Sequence, residues 1–93
     1  MNIRLQERQK EILKSIVEIY IKTNKPVSSE DVLNNSNIKA SSATIRNDMQ
    51  KLQKLGYIYQ QHSSGGRIPL DPALKIYFEM IKEAYDVKVN HIE

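Results

Sequence analysis

The stretch that most constrains this chain is 41–69, where the apolar spacing changes from a helical to a strand period across a single glycine. Ile45, Met49 and Leu52 fall at i, i+4 and i+7, one stripe of a helix. Ser41 or Ser42 stands where an N-cap hydroxyl accepts from an unpaired backbone amide. Leu55 lies at the edge of the stripe, and Gly56 stands where a helix that ends on a left-handed residue takes its glycine. Tyr57-Ile58-Tyr59-Gln60 then reads as a strand, Gln61 to Gly66 as a polar hairpin tip, and Arg67-Ile68-Pro69 as a short return strand. The proline suits a strand end, because it has no N–H to give to a ladder. A helix that runs straight into a hairpin needs other helices to cover its stripe.

The chain supplies them on both sides. From about Gln6 to Thr23, Ile12, Leu13, Ile16, Val17 and Tyr20 form a helical stripe, and Asn24-Lys25-Pro26 ends it. After Val27, Ser28 and Asp31 have the spacing of a capping box, with Asp in place of the usual Glu, ahead of Val32 and Leu33. Asn34 to Asn37 is turn-prone. A last helix is expected with Asp71 as N-cap and Pro72 at its first position. Leu74, Tyr77, Phe78, Met80, Ile81, Ala84 and Tyr85 give it a broad apolar side, and the pattern weakens after Asp86. The order helix, helix, helix, hairpin, helix predicts a mainly α chain with a small β-hairpin, a winged helix-turn-helix. Residues 1–70 would form that domain, and 71–93 a C-terminal helix for dimerisation or linkage.

Ninety-three residues make one domain at most, with a modest core. Without cysteine, no disulfide or thiolate metal site supports it, so apolar packing must. No run of about 18 apolar residues is present, and no apolar signal core follows the N-terminus, so the expected compartment is the cytoplasm. The charge is uneven. Residues 71–93 hold three lysines and five acids, so a chain of net +3 carries +5 on its first seventy residues. That asymmetry favours a polyanionic partner.

In a winged helix the third helix enters the major groove of double-stranded DNA. With Ile45, Met49 and Leu52 turned inward, the opposite face carries Ala43, Arg46, Asn47, Gln50 and Lys54. Arg pairs with guanine in bidentate fashion, Asn and Gln with adenine, and a small Ala allows close approach or touches a thymine methyl. Ser41, Ser42 and Thr44 sit at the helix start, where free amides and the helix dipole favour a phosphate. In the hairpin, His62, Ser63, Ser64 and Arg67 are the contact candidates. Arg67 would reach a phosphate or a narrow minor groove, and the glycines would let the loop follow a groove wall. Each has a plainer reading beside it. Arg46 and Lys54 would sit on any solvated helix face, and the serines would cap in any case. His62 suits an exposed loop, Gly65-Gly66 suits the closing of a turn, and Tyr57, Tyr59, Tyr77 and Phe78 suit a core or an interface.

No catalytic, metal or cofactor site is expected. His62 and His91 lack ligand spacing with any partner, no glycine pattern matches a nucleotide loop, and Ser63 beside His62 is adjacency rather than a triad. The rival to DNA binding is a winged helix that docks a protein. The apolar last helix argues partly for it, and the polar face around Arg46 argues against it.

The run Ser41-Ser42-Ala43-Thr44-Ile45-Arg46-Asn47-Asp48-Met49, with Leu52 and Leu55-Gly56-Tyr57-Ile58, resembles the HrcA heat-inducible transcription repressors. Glu7 to Leu13, Pro26-Val27, His62-Ser63-Ser64 and Gly66-Arg67-Ile68-Pro69 resemble the same family, so the likeness covers roughly residues 5–70. Gln61, Leu70 and the run Asp71 to Lys75 depart from the family's pattern. DeoR-type regulators have a similar recognition helix but usually a second Arg where Asn47 stands. The resemblance implies repression of chaperone operons and binding to an inverted-repeat operator as a homodimer. It also implies modulation by the GroE chaperonin through a large C-terminal region that these 93 residues do not contain.

Overall fold

A computed structural model of the chain describes residues 5–62 and 65–90, the side chains of 89 and 90 excepted. Four helices and one hairpin follow in order: α1 (Glu7–Thr23), α2 (Ser29–Asn34), α3 (Ser42–Lys54), β1 (Ile58–Gln60), β2 (Arg67–Pro69) and α4 (Asp71–Asn90).

Local chemistry sets most of the boundaries. The Gln6 amide, just before α1, donates to Gln9 Oε1 at 3.0 Å. Asn24 ends the helix in the left-handed conformation, φ +54°, and its N–H donates to the Tyr20 carbonyl at 2.8 Å. At α2 the capping box closes both ways: the Asp31 amide donates to Ser28 Oγ and the Ser28 amide to Asp31 Oδ2, each at 3.0 Å. Of the two serines at the start of α3, Ser41 is the cap, its Oγ accepting from the Thr44 amide at 3.1 Å, and Ser42 is the first helical residue. Gly56, at φ +87°, turns the chain out of α3 and into β1.

The core lies where α1, α2 and α3 meet over β1. Ile12, Leu13, Ile16, Val17, Val32, Ile45, Met49, Leu52 and Ile58 are all sealed from solvent. Each such side chain contributes roughly 1.5–3 kcal/mol by removal from water. Leu5 and Ala73 belong to the same buried cluster.

The hairpin is antiparallel, with Ile58 opposite Pro69, Tyr59 opposite Ile68 and Gln60 opposite Arg67. It is also tied to the loop between α1 and α2. The Val27 amide donates to the Arg67 carbonyl, and the Arg67 amide to the Val27 carbonyl, both at 2.8 Å. Gly66 makes this contact possible, because a Cβ there would stand 2.6–2.7 Å from the Val27 backbone. The close approach that its sequence position suggested is therefore to the protein's own chain.

At α4 the structure moves one boundary. The Ala73 and Leu74 amides donate to the Leu70 carbonyl at 2.9 and 3.2 Å, so Leu70 is the capping position and Asp71 the first helical residue. The helix continues past Asp86 to Asn90. Only its first part is covered: Ala73 is buried and Leu74, Ile76 and Tyr77 pack on the core, whereas Phe78, Ile81, Tyr85 and Val87 are exposed. Among the described residues no helix is long and apolar enough to cross a membrane.

Candidate nucleic-acid interface

The inward stripe of α3 fixes what the helix shows to solvent. With Ile45, Met49 and Leu52 buried, Ala43, Arg46, Asn47, Gln50 and Lys54 are all exposed along the outer side. Arg46 makes no hydrogen bond or ion pair among the described residues, so its guanidinium retains its five N–H donors. At the helix start Ser41 is exposed, while Ser42 and Thr44 are half-buried. Ser41 Oγ also donates to Thr44 Oγ1 at 3.0 Å, so these two hydroxyls hold the first turn together.

The rotation of α3 about its axis is held from behind. Asp48, 2% exposed, accepts from Nε of Arg8 on α1. The hydrogen bond and then the charge of Asp48 raise the Arg8 guanidinium above its ordinary value, against a smaller opposing effect of desolvation. A buried carboxylate needs such a partner, because leaving water uncompensated is costly. This pair is absent from the sequence-derived site, although a signal was there. Asp48 falls at i+3 from Ile45 and i−4 from Leu52, inside the buried stripe, where an acid calls for a cation.

The hairpin side chains are placed unequally. His62 is exposed, and its carbonyl accepts from the Gly65 amide at 3.0 Å to close the turn. Ser63 and Ser64 lie outside the described residues. Arg67 does not extend from the hairpin as an isolated charge. It is half-buried and folded back on α3, with Nε donating to Gln53 Oε1 at 3.0 Å and a longer contact from Nη1 to the Gly65 carbonyl. Burial, and then the positive charge of Arg46, lower its guanidinium from the ordinary value. Tyr57 and Tyr77 pack against the core, while Tyr59 and Phe78 are exposed. Among the described residues no three His, Asp or Glu side chains gather as a metal site requires.

The family described as "Winged helix-turn-helix transcription repressor, HrcA DNA-binding" matches residues 4–84. The heat-inducible transcription repressor HrcA of Thermotoga neapolitana is 52% identical over 90 residues, covering 96% of this chain and 26% of that protein. Its counterpart in Thermotoga petrophila is 59% identical over 76 residues, covering 82% and 22%. That of Corynebacterium diphtheriae is 45% identical over 83 residues, covering 89% and 24%. A solved chain, described only as a hypothetical protein in a crystal structure at 2.2 Å resolution, is similar with a TM-score of 0.84 and 56% identity. It covers 87% of this chain and 25% of that one. The chain thus spans about a quarter of the length of the curated relatives it matches. The family is one of repressor DNA-binding domains and not of enzymes. On the extent of that match and the winged helix built here, the chain belongs to the HrcA family of winged helix-turn-helix DNA-binding domains.

Proposed function

We propose that this chain acts in a heat-inducible transcription repressor as the part that binds operator DNA, with α3 in the major groove and the hairpin against the flanking backbone. The observation that carries the reading is the division of α3: a fully buried aliphatic stripe, and an opposite face of exposed Ala43, Arg46, Asn47, Gln50 and Lys54. Asn47 and Gln50 are the base readers, since a carboxamide pairs with adenine in bidentate fashion. Ala43 lets the helix approach. Ser41, Ser42, Thr44 and Lys54 serve backbone positioning, as do His62, Ser63 and Ser64 from the hairpin tip.

Residues 71–93 serve a second copy of the chain. Phe78, Ile81, Tyr85 and Val87 expose apolar surface along one helix, and an inverted-repeat operator calls for a two-fold protein. The same exposed side chains would suit a protein-docking winged helix, which favours that as the second reading. Repression of chaperone genes, a cytoplasmic site of action and modulation by a chaperonin follow from the family likeness. The chaperonin would act through chain outside the matched quarter of the relatives.

Selection of bound duplexes from random DNA tests the reading. An enriched inverted repeat, bound more weakly as salt rises, supports it, since phosphate contacts make affinity fall steeply with salt. No enrichment, with salt-independent capture of a protein instead, favours the second reading. Sedimentation of the chain at high concentration tests the two-fold arrangement, and a strict monomer counts against it.

A further inference from the structure

Arg46 and Arg67 come from different elements, α3 and β2, yet both line one polar cleft between the hairpin, α3 and the start of α2. Ser28, Gln50, Gln60 and Gly66 line the same cleft, and among the described residues no carboxylate does. Two like charges lining one cleft repel: burial first, and then the positive charge of Arg46, lower the Arg67 guanidinium from its ordinary value. Elsewhere the fold pairs its deeply placed charge, as Arg8 with Asp48. Here the partners of Arg67 are uncharged oxygens, those of Gln53 and Gly65. They fix the side chain through Nε and Nη1 and leave Nη2 without a bond among the described residues. Arg46, Gln50 and Gln53 lie at i, i+4 and i+7, so one ridge of α3 leans toward the hairpin.

We infer that this cleft is a clamp for a single phosphodiester of the DNA backbone, held jointly by Arg46 and Arg67 where the strand passes from α3 to the hairpin. The inference rests on the DNA-binding reading above and sharpens it. It moves Arg46 from reading a base, the role its residue type suggests, to neutralising a phosphate. A phosphate satisfies both guanidiniums at once, with charge-assisted and geometrically specific hydrogen bonds. Arg67 is presented for this by Gln53, and the Val27 bridge holds its backbone, so the clamp is assembled before DNA arrives.

The test uses the full 93-residue chain and its selected duplex, with one phosphate at a time replaced by a neutral methylphosphonate. One linkage in each half-site is expected to weaken wild-type binding about tenfold when neutralised, as loss of a charged hydrogen bond does. The same replacement should change binding less than about twofold in Arg46→Gln and in Arg67→Gln, and each variant should lower the salt slope by about one. The clamp is overturned if no single linkage behaves this way. It is equally overturned if Arg46→Gln alters base preference at one position and leaves the salt slope intact. In either case ordinary salt-dependent binding of the duplex would survive, whereas failure of the DNA-binding reading itself would abolish it. Circular dichroism of both variants separates misfolding from loss of the clamp, and Arg67→Lys, which keeps the charge but not the fork, should recover the salt slope without the tight, linkage-specific effect.

Discussion

Replacing Gly66 by alanine should damage the hairpin's anchorage far more than the same change at its neighbour. A Cβ at Gly66 would stand 2.6 Å from both the carbonyl carbon and oxygen of Val27 and 2.7 Å from its nitrogen. All three are backbone atoms and cannot swing aside, so the hairpin must lift from the loop between α1 and α2. The two bonds joining Val27 and Arg67, each 2.8 Å, are then lost. At about 1 kcal/mol apiece they account for roughly 2 kcal/mol. Strain from the forced displacement adds about 1 kcal/mol or more. The total, roughly 3 kcal/mol, is a large part of the 5–15 kcal/mol of a typical small domain. Gly65 provides the control, because a Cβ there meets only His62 atoms at 3.6–3.7 Å, an ordinary contact. Urea titration followed by circular dichroism measures both. A loss near 3 kcal/mol for Gly66→Ala against less than about 1 kcal/mol for Gly65→Ala is the expected result. Equal losses would refute the reasoning, since they would show that the approach of Gly66 to Val27 carries no weight.

Four further outcomes follow from particular residues. Ser41→Ala removes the acceptor for the Thr44 amide and should cost about 1 kcal/mol in urea titration, while Ser42→Ala costs little. Tyr77 is held protonated in the folded chain by burial, then by the charge of Glu18, then by its hydrogen bond to Glu18. With the folded pKa raised above the ordinary 10.0, that contribution is whole below about pH 10 and is lost as pH climbs through the folded value, so Tyr77→Phe should flatten the alkaline fall in stability measured by thermal melts. Asp48→Ala should lower the melting temperature and weaken DNA binding together. Asn47→Ala should leave the melting temperature unchanged and blur sequence preference by about 1–3 kcal/mol at one base pair in a competition assay.

Local signals in the sequence were reliable where the physics is local. The stripe Ile45, Met49, Leu52, the Ser28–Asp31 capping box and the glycine stop at Gly56 all depend on neighbours within a few positions, and each is built as its spacing implies. In the hairpin β2 covers the residues that the spacing marks as the return strand, while β1 begins one residue late, at Ile58 rather than Tyr57. What escaped depends on separation along the chain. Arg8 and Asp48 are 40 residues apart, so the place of Asp48 inside the buried stripe asks for a cation without naming which, and Val27 reaches Arg67 from another loop, a contact with no trace in local periodicity. Arg67 was readable as a cation on a hairpin but not as one folded back on Gln53. The apolar residues of α4 were visible, but periodicity names a face without naming its cover. Ala73, Leu74, Ile76 and Tyr77 meet the core, and Phe78, Ile81, Tyr85 and Val87 do not. The one-residue shift at Leu70 arises because an aspartate ahead of a proline suits the first helical turn as well as the cap.

Mapping backbone amide shifts by NMR as the selected duplex is added addresses the central claim most directly. Perturbations concentrated in residues 42–54 and in the hairpin around 60–67, with α4 beyond Tyr77 little changed, are the predicted pattern. Shifts gathered on the exposed side of α4, with Ala43, Asn47 and Gln50 unmoved, would contradict it.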